Sequence, residues 1–356
     1  MSQAAGPTPQ LSAADVAAVN ALAAPADAAL AAAYPGARPG RQPVHTVYIP
    51  ADQVTPDIVA QWGSAARSAL DVHAGSATVL AEVTGRPRSA VGEAWPLILA
   101  KLAREPIEDL RIDLEDGYGA RADDEEDHDV VAAVRALTTA ATRGSAPPYW
   151  GIRFKCFEAA TRGRGLRSLD LSIGAAAEHG PLPDGFVVTL PKVSSVGQVR
   201  AMVEACRRLE HGHHLPPGRL RFEIQIETPQ AILGADGSAT VARMVHASER
   251  RCTGLHFGTY DYTAALGVSA GNQAMDHPAA EHAKQVMAVA AAGTGVRLSD
   301  GSTNVLPVGE RSAVHAAWHL HAGLVRRSLE RGYYQGWDLH PAQLPTRYLS
   351  TFVFFR

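Results

Sequence analysis

The sequence predicts an α/β fold, a parallel (β/α)8 barrel carrying an N-terminal helical extension and an insertion after its first strand. Three observations predict it. Short apolar runs end in polar residues at Glu115, Arg153, Lys192, Glu227, Asp261, Asp300 and His340, at intervals of 34 to 40 residues. Each interval is the length of one strand and one returning helix, and parallel strands need such a crossover. With a first strand near Val47 the runs number eight, and 356 residues suit one such barrel with additions. No glycine-rich phosphate turn follows the first strand, as an open doubly wound nucleotide-binding sheet would require.

The elements follow in order. Residues 1–42 are an Ala/Pro-rich extension, in which Leu11 to Tyr34 predicts one or two helices broken at Pro25. The barrel is expected over residues 43–356. Its first strand is the β-branched and aromatic run Val44 to Ile49, stopped by Pro50. Helical patterns near Pro56 to His73 and Ala90 to Arg104 exceed one crossover and predict the insertion. Leu110 to Leu114 then runs into Glu115, Asp116 and Gly117. The acidic stretch Asp123 to Asp129 suits the solvated first turn of a helix, where acids favour the helix dipole. Trp150 to Cys156 is the next strand, and strict alternation places Arg153 and Lys155 on one face. Arg162, Arg164 and Arg167 read as a solvated arginine loop or an anion site. The strand Gly185 to Leu190 ends at Lys192, and a helix is predicted over Val196 to Glu210. His211, His213 and His214 suit a surface loop. Arg221 to Glu227 and Thr253 to Gly258 are the central strands. A helix over Pro278 to Ala292, a weaker strand at Gly295 to Gly301 and a closing run at Tyr333 to His340 complete the set.

Composition excludes several classes. The chain is 46% hydrophobic and 19% charged with a net charge of −3, which favours neither a nucleic-acid surface nor an anionic membrane. No run approaches 18 apolar residues and no secretory leader is visible, so a cytoplasmic protein without a membrane span is expected. Cys156, Cys206 and Cys252 are widely spaced and odd in number, so neither a disulfide framework nor a thiolate zinc site is expected.

The chemistry expected of the barrel lies at its strand ends. Glu227 and Asp261 stand 34 residues apart at the ends of consecutive strands, on one rim. Two carboxylates so placed can hold a hard cation such as Mg²⁺ through oxygen. They can equally cap the helices that follow.

Six segments in order resemble a known family: DLEDG at 113–117, IRFK at 152–155, LPKV at 190–193, IET at 226–228, FGTYDY at 257–262 and LHPAQ at 339–343. Together they are similar to the citrate lyase β-subunit-like branch of the HpcH/HpaI aldolase superfamily. The resemblance implies an oligomeric (β/α)8 barrel that uses Mg²⁺, or Mn²⁺, to make or break a carbon–carbon bond beside a carbonyl. Small carboxylates such as a 2-oxo acid or a citrate-like acid would be its substrates, or a CoA thioester. Glu227 and Asp261 would hold the metal, Arg153 would face the substrate carbonyl, and Glu115 and Asp116 would lie near the metal or its waters. His45 and His340 are further candidates for the base. Two departures stand out. Lys155 occupies a position where the branch often has Asn, and only 16 residues follow His340, where relatives acting on acyl-CoA often carry a lid. Two other readings remain. Lys155 or Lys192 could form a Schiff base if its pKa were depressed, or the barrel could bind a small acid without chemistry.

Overall fold

The computed structural model describes residue 6, residues 9–178 and residues 180–356. Eight strands form the predicted barrel: β1 (His45–Pro50), β2 (Asp109–Asp113), β3 (Tyr149–Arg153), β4 (Val188–Leu190), β5 (Phe222–Ile226), β6 (Cys252–Phe257), β7 (Arg297–Ser299) and β8 (Gly336–Asp338). Each pairs in parallel with the next, and β1 pairs with β8. Between β7 and β8 a parallel bridge joins Ser299 to Gln335, and the Asp300 N–H donates to the Gln335 carbonyl at 2.8 Å. The ring is thereby closed at its last seam.

Helices return the chain between strands. After α1 (Ala13–Ala33) and β1 come α2 (Ile58–His73), α3 (Ala77–Thr84) and α4 (Arg88–Arg104). The barrel then continues with α5 (Asp123–Thr142), α6 (Arg162–Ala177), α7 (Val196–Gly212), α8 (Pro229–Ile232), α9 (Thr240–Ala247), α10 (Thr259–Ala265), α11 (Pro278–Ala291), α12 (Arg311–Glu330) and α13 (Leu344–Phe354). The insertion is thus three helices, the short α3 being additional to the two expected. It forms a second apolar core with α12 and α13, built on Leu70, Leu80, Ile98, Trp318, Tyr348 and Leu349.

The strands alternate between two environments. On β5, Phe222, Ile224 and Ile226 join the main core beneath the helices. Glu223 points the other way, because it meets Arg111 of the non-adjacent β2 at 3.0 Å. The barrel interior is therefore polar. At its N-terminal end Arg111 pairs with Asp109 and Glu223, and Glu223 meets His256 at 2.9 Å. The Trp337 indole N–H donates to His256 at 3.2 Å. The Trp337 ring lies 4.7 Å from that of Tyr48, which in turn lies 4.6 Å from the Arg153 guanidinium. Gly151 is required at the β3–β4 seam, since a Cβ there would stand 1.8 Å from the Val187 carbonyl oxygen.

Several expectations are corrected. Residues 13–33 form one continuous helix with Pro25 inside it, begun by a capping box between Ser12 and Asp15. None of its residues is buried. Among the described residues it is also a helix long and apolar enough to cross a membrane, with a mean hydropathy of 1.5 carried largely by alanine, where the sequence reading found no such run. Arg162, Arg164 and Arg167 lie on α6 rather than in a loop; Arg162 donates to the Phe157 carbonyl at 3.0 Å, and the other two face the acidic start of α5. Arg164 pairs with Glu126 at 3.1 Å, and Arg167 with Asp127. That acidic turn is accordingly only partly solvated, with Glu126 fully buried.

Candidate functional site

At the C-terminal ends of β2 to β6 the acidic and basic residues singled out in the sequence converge, with one exception. The Lys192 ammonium, just beyond β4, lies 2.9 Å from Glu115, 2.8 Å from Asp116 and 2.9 Å from Asp261. Glu227, just beyond β5, accepts the Lys192 backbone N–H at 2.7 Å. Lys192 holds a left-handed φ of 49°, which L residues rarely adopt, and this backbone turn accompanies that hydrogen bond. Gly258 makes room for Glu227, because a Cβ at 258 would stand 2.4 Å from its Oε2. Asp261 comes from the first turn of α10.

Arg153 is buried behind this cluster. Its Nε and one Nη donate to both Asp113 oxygens at 2.7 and 2.6 Å, and its other Nη lies 3.5 Å from Glu115. The fork expected to face a substrate is therefore largely committed to Asp113, leaving one edge toward the acids. Asp113 is the residue the sequence reading missed. It also accepts the Glu115 and Gly117 N–H groups at 3.0 and 2.9 Å and so shapes the acidic turn. Its inward place on β2, two residues before Glu115, was the available signal. Tyr48, against Arg153, was missed likewise.

Lys155 is the exception. β3 ends at Arg153, so strict alternation stops there. The Lys155 ammonium turns to the Leu114 carbonyl at 2.8 Å and to Glu126 at 2.7 Å, away from the Lys192 cluster. His45 is also misplaced as a base candidate. It opens β1, at the opposite end of the barrel, and is wholly buried against Asp338 at 2.7 Å. His340 does stand at the C-terminal end of β8, where its side chain caps a short 3₁₀ turn.

The electrostatics of the cluster are those of excess negative charge in a buried place. Burial pushes the Glu227 carboxyl up to about 8, with neighbouring Glu115 adding to the shift. Burial, with Asp116 beside it, brings Glu115 up to about 6. Burial opposes ionisation of Asp116 too, but the Lys192 hydrogen bond and charge hold it below the usual carboxylate range. Burial disfavours the Lys192 ammonium, and the charges of Glu115, Asp116 and Glu227 outweigh this and raise its pKa. A lysine held protonated in this way is the opposite of an imine-forming one, so the geometry gives no support to a Schiff base at Lys192. One Glu115 oxygen, Oε2, is buried without a hydrogen-bond partner. Among the described residues no three His, Cys, Asp or Glu side chains already stand at metal-ligand spacing. The acid oxygens gather on the lysine instead.

Comparisons with known proteins follow this geometry. Among solved structures the fold is similar to Haloferax volcanii malate synthase. Against its lead(II) complex the identity is 17% and the TM-score 0.59, covering 88% of this chain and 74% of that one. Against its magnesium/glyoxylate complex the identity is 17% and the TM-score 0.56, covering 87% and 76%. An HpcH/HpaI aldolase/citrate lyase family protein from Burkholderia cenocepacia also matches, at 16% identity and a TM-score of 0.46, covering 86% and 91%. At 17% identity the likeness to the malate synthase is one of fold. No curated protein matches the sequence. A family model described as a domain of unknown function, DUF6986, matches residues 23–356, and this chain belongs to that family.

Proposed function

We propose that this protein makes or breaks a carbon–carbon bond beside the carbonyl of a small carboxylate substrate, through an enolate, with Mg²⁺ or Mn²⁺ held at the C-terminal rim of the barrel. One observation carries the reading. Glu115, Asp116, Glu227 and Asp261 present oxygen atoms around a single lysine, at the barrel end where this fold places its chemistry. The donor set is all oxygen, which suits a hard divalent cation. The cluster is also short of positive charge, as the raised Glu227 carboxyl indicates. Glu227 and Asp261 would hold the ion, with Glu115 and Asp116 close to it. When bound, the cation supplies a Lewis acid for the oxygen that gains charge.

The chain's own groups do the rest. Arg153, fixed by Asp113, presents its free edge as a permanent cation beside the same oxygen. Glu115, with its carboxyl near 6 and one oxygen that accepts no hydrogen bond, is suited to accept a proton at neutral pH. Lys192 restrains the acids until a stronger cation takes its place. The candidate substrates are a 2-oxo acid, a citrate-like acid or an acyl-CoA thioester. The malate synthase of similar fold is described in a complex with magnesium and glyoxylate, a 2-oxo acid.

The test is calorimetric titration of Mg²⁺ and Mn²⁺ into metal-free protein, with and without pyruvate or oxalate. Binding that tightens with the 2-oxo acid, and is lost in Asp261→Ala and Glu227→Ala, is the expected result. Absence of metal binding under both conditions refutes the proposal.

A further inference from the structure

The opposite end of the barrel carries a second feature, independent of the rim. A cavity of about 360 Å³ opens there among the strand starts, beneath the segment that leads from α1 into β1. Five arginines line it: Arg38, Arg111, Arg219, Arg221 and Arg297. Arg111, on its floor, is committed to Asp109 and Glu223. Among the described residues the other four have no carboxylate within ion-pair distance. Arg219 donates to the Leu182 carbonyl at 2.9 Å, and Arg297 to that of Gly40 at 2.9 Å. Arg38 donates to the Cys252 carbonyl at 3.2 Å, while its Nη1 is buried with no hydrogen-bond partner. Arg221 is exposed at the mouth, and its side chain makes no hydrogen bond among the described residues. Among the lining acids, Asp184 is the one outside the floor pairs.

A chain of net charge −3 thus gathers around one cavity four guanidinium groups without an ion-pair partner, with Asp184 the nearby acid that acts on Arg219. Burial, together with Arg221, Arg297 and Arg250, makes Arg38 easier to deprotonate than an ordinary arginine. Half-buried cations that repel one another are costly unless an anion meets them. Guanidinium forks match the oxygens of phosphate and carboxylate groups. The size is that of a small-molecule site.

We propose that this N-terminal mouth binds a small multivalent oxyanion, a phosphate ester or a polycarboxylate, on Arg38, Arg219, Arg221 and Arg297. The segment holding Arg38 forms one wall, so an occupied site would tie that segment to the barrel.

The experiment titrates inorganic pyrophosphate, and separately citrate, into metal-free full-length protein at low salt. Saturable binding of one or both is expected, weakened at least tenfold in Arg221→Ala and in Arg38→Gln. Tighter pyrophosphate points to a phosphate ester, and tighter citrate to a polycarboxylate. The Arg221 side chain makes no hydrogen bond, so without anion Arg221→Ala should melt at or above the wild-type temperature, and the rise in melting temperature on adding anion should shrink. Failure of both anions to bind, or equal binding by wild type and both variants, overturns the proposal.

Discussion

Replacing Glu227 by Gln should stabilise the metal-free protein, although it removes a group central to the proposed chemistry. The carboxyl is buried and shifted from 4.5 to about 8. Between those values the folded state binds a proton that the unfolded state has released, so wild-type stability falls as pH rises through this window. The loss amounts to about 3 kcal/mol at pH 7, at about 1.4 kcal/mol per unit of pH. Gln keeps the shape and can still accept the Lys192 N–H. It never ionises, so it avoids this loss. With an unfolding entropy of about 2 cal/mol/K per residue, 3 kcal/mol corresponds to roughly 4 °C for a chain of this size. Thermal unfolding in chelator should show the variant about 4 °C above wild type at pH 7 and within about 1 °C at pH 5. Added Mg²⁺ should raise the wild type and leave the variant unchanged. A difference that is flat with pH, or a variant less stable at pH 7, refutes the reasoning.

Other outcomes follow from the same geometry. Lys192→Ala should tighten Mg²⁺ binding without substrate by about tenfold or more, since a unit charge a few ångströms from the ion is removed; weaker binding in calorimetry would contradict this. Gly258→Ala should push Glu227 aside, lowering stability by about 1–3 kcal/mol and abolishing metal binding, measured by denaturant unfolding and titration. Asp338→Ala leaves Arg347 buried without its partner and should cost about 3–5 kcal/mol, whereas a loss below about 1 kcal/mol would show that the pair contributes little. Removing residues 1–33 should leave the melting temperature unchanged to about 1 °C, because no residue of α1 is buried.

The legible part of the structure was the part written in local pattern. Strands were visible because each apolar run ended in a polar residue where the chain leaves the barrel, and this marked Glu115, Lys192, Glu227 and Asp261 as one rim. Pairings across the barrel were not visible. Asp113 clamps Arg153 from 40 residues away, and only the β2–β3 register brings them side by side. Lys155 was misplaced because alternation holds only while a strand lasts, and β3 stops two residues earlier. Pro25 suggested a break that an unburied helix does not make. Arg164 and Arg167 of α6 read as a solvated loop because their partners, Glu126 and Asp127, belong to the preceding helix.

The seam between β1 and β8 also sets a timetable. His45 and Asp338 meet at 2.7 Å although 293 residues separate them, and α2, α3 and α4 share an apolar core with α12 and α13. During synthesis one edge of β1, and the helices beside it, must wait for partners made much later. At about 5–20 residues per second the wait is on the order of 15 to 60 s. For that interval the growing chain holds an open strand edge and an uncovered apolar face, the features by which nascent proteins associate wrongly. The step that closes the ring is thus the one that ends this exposure.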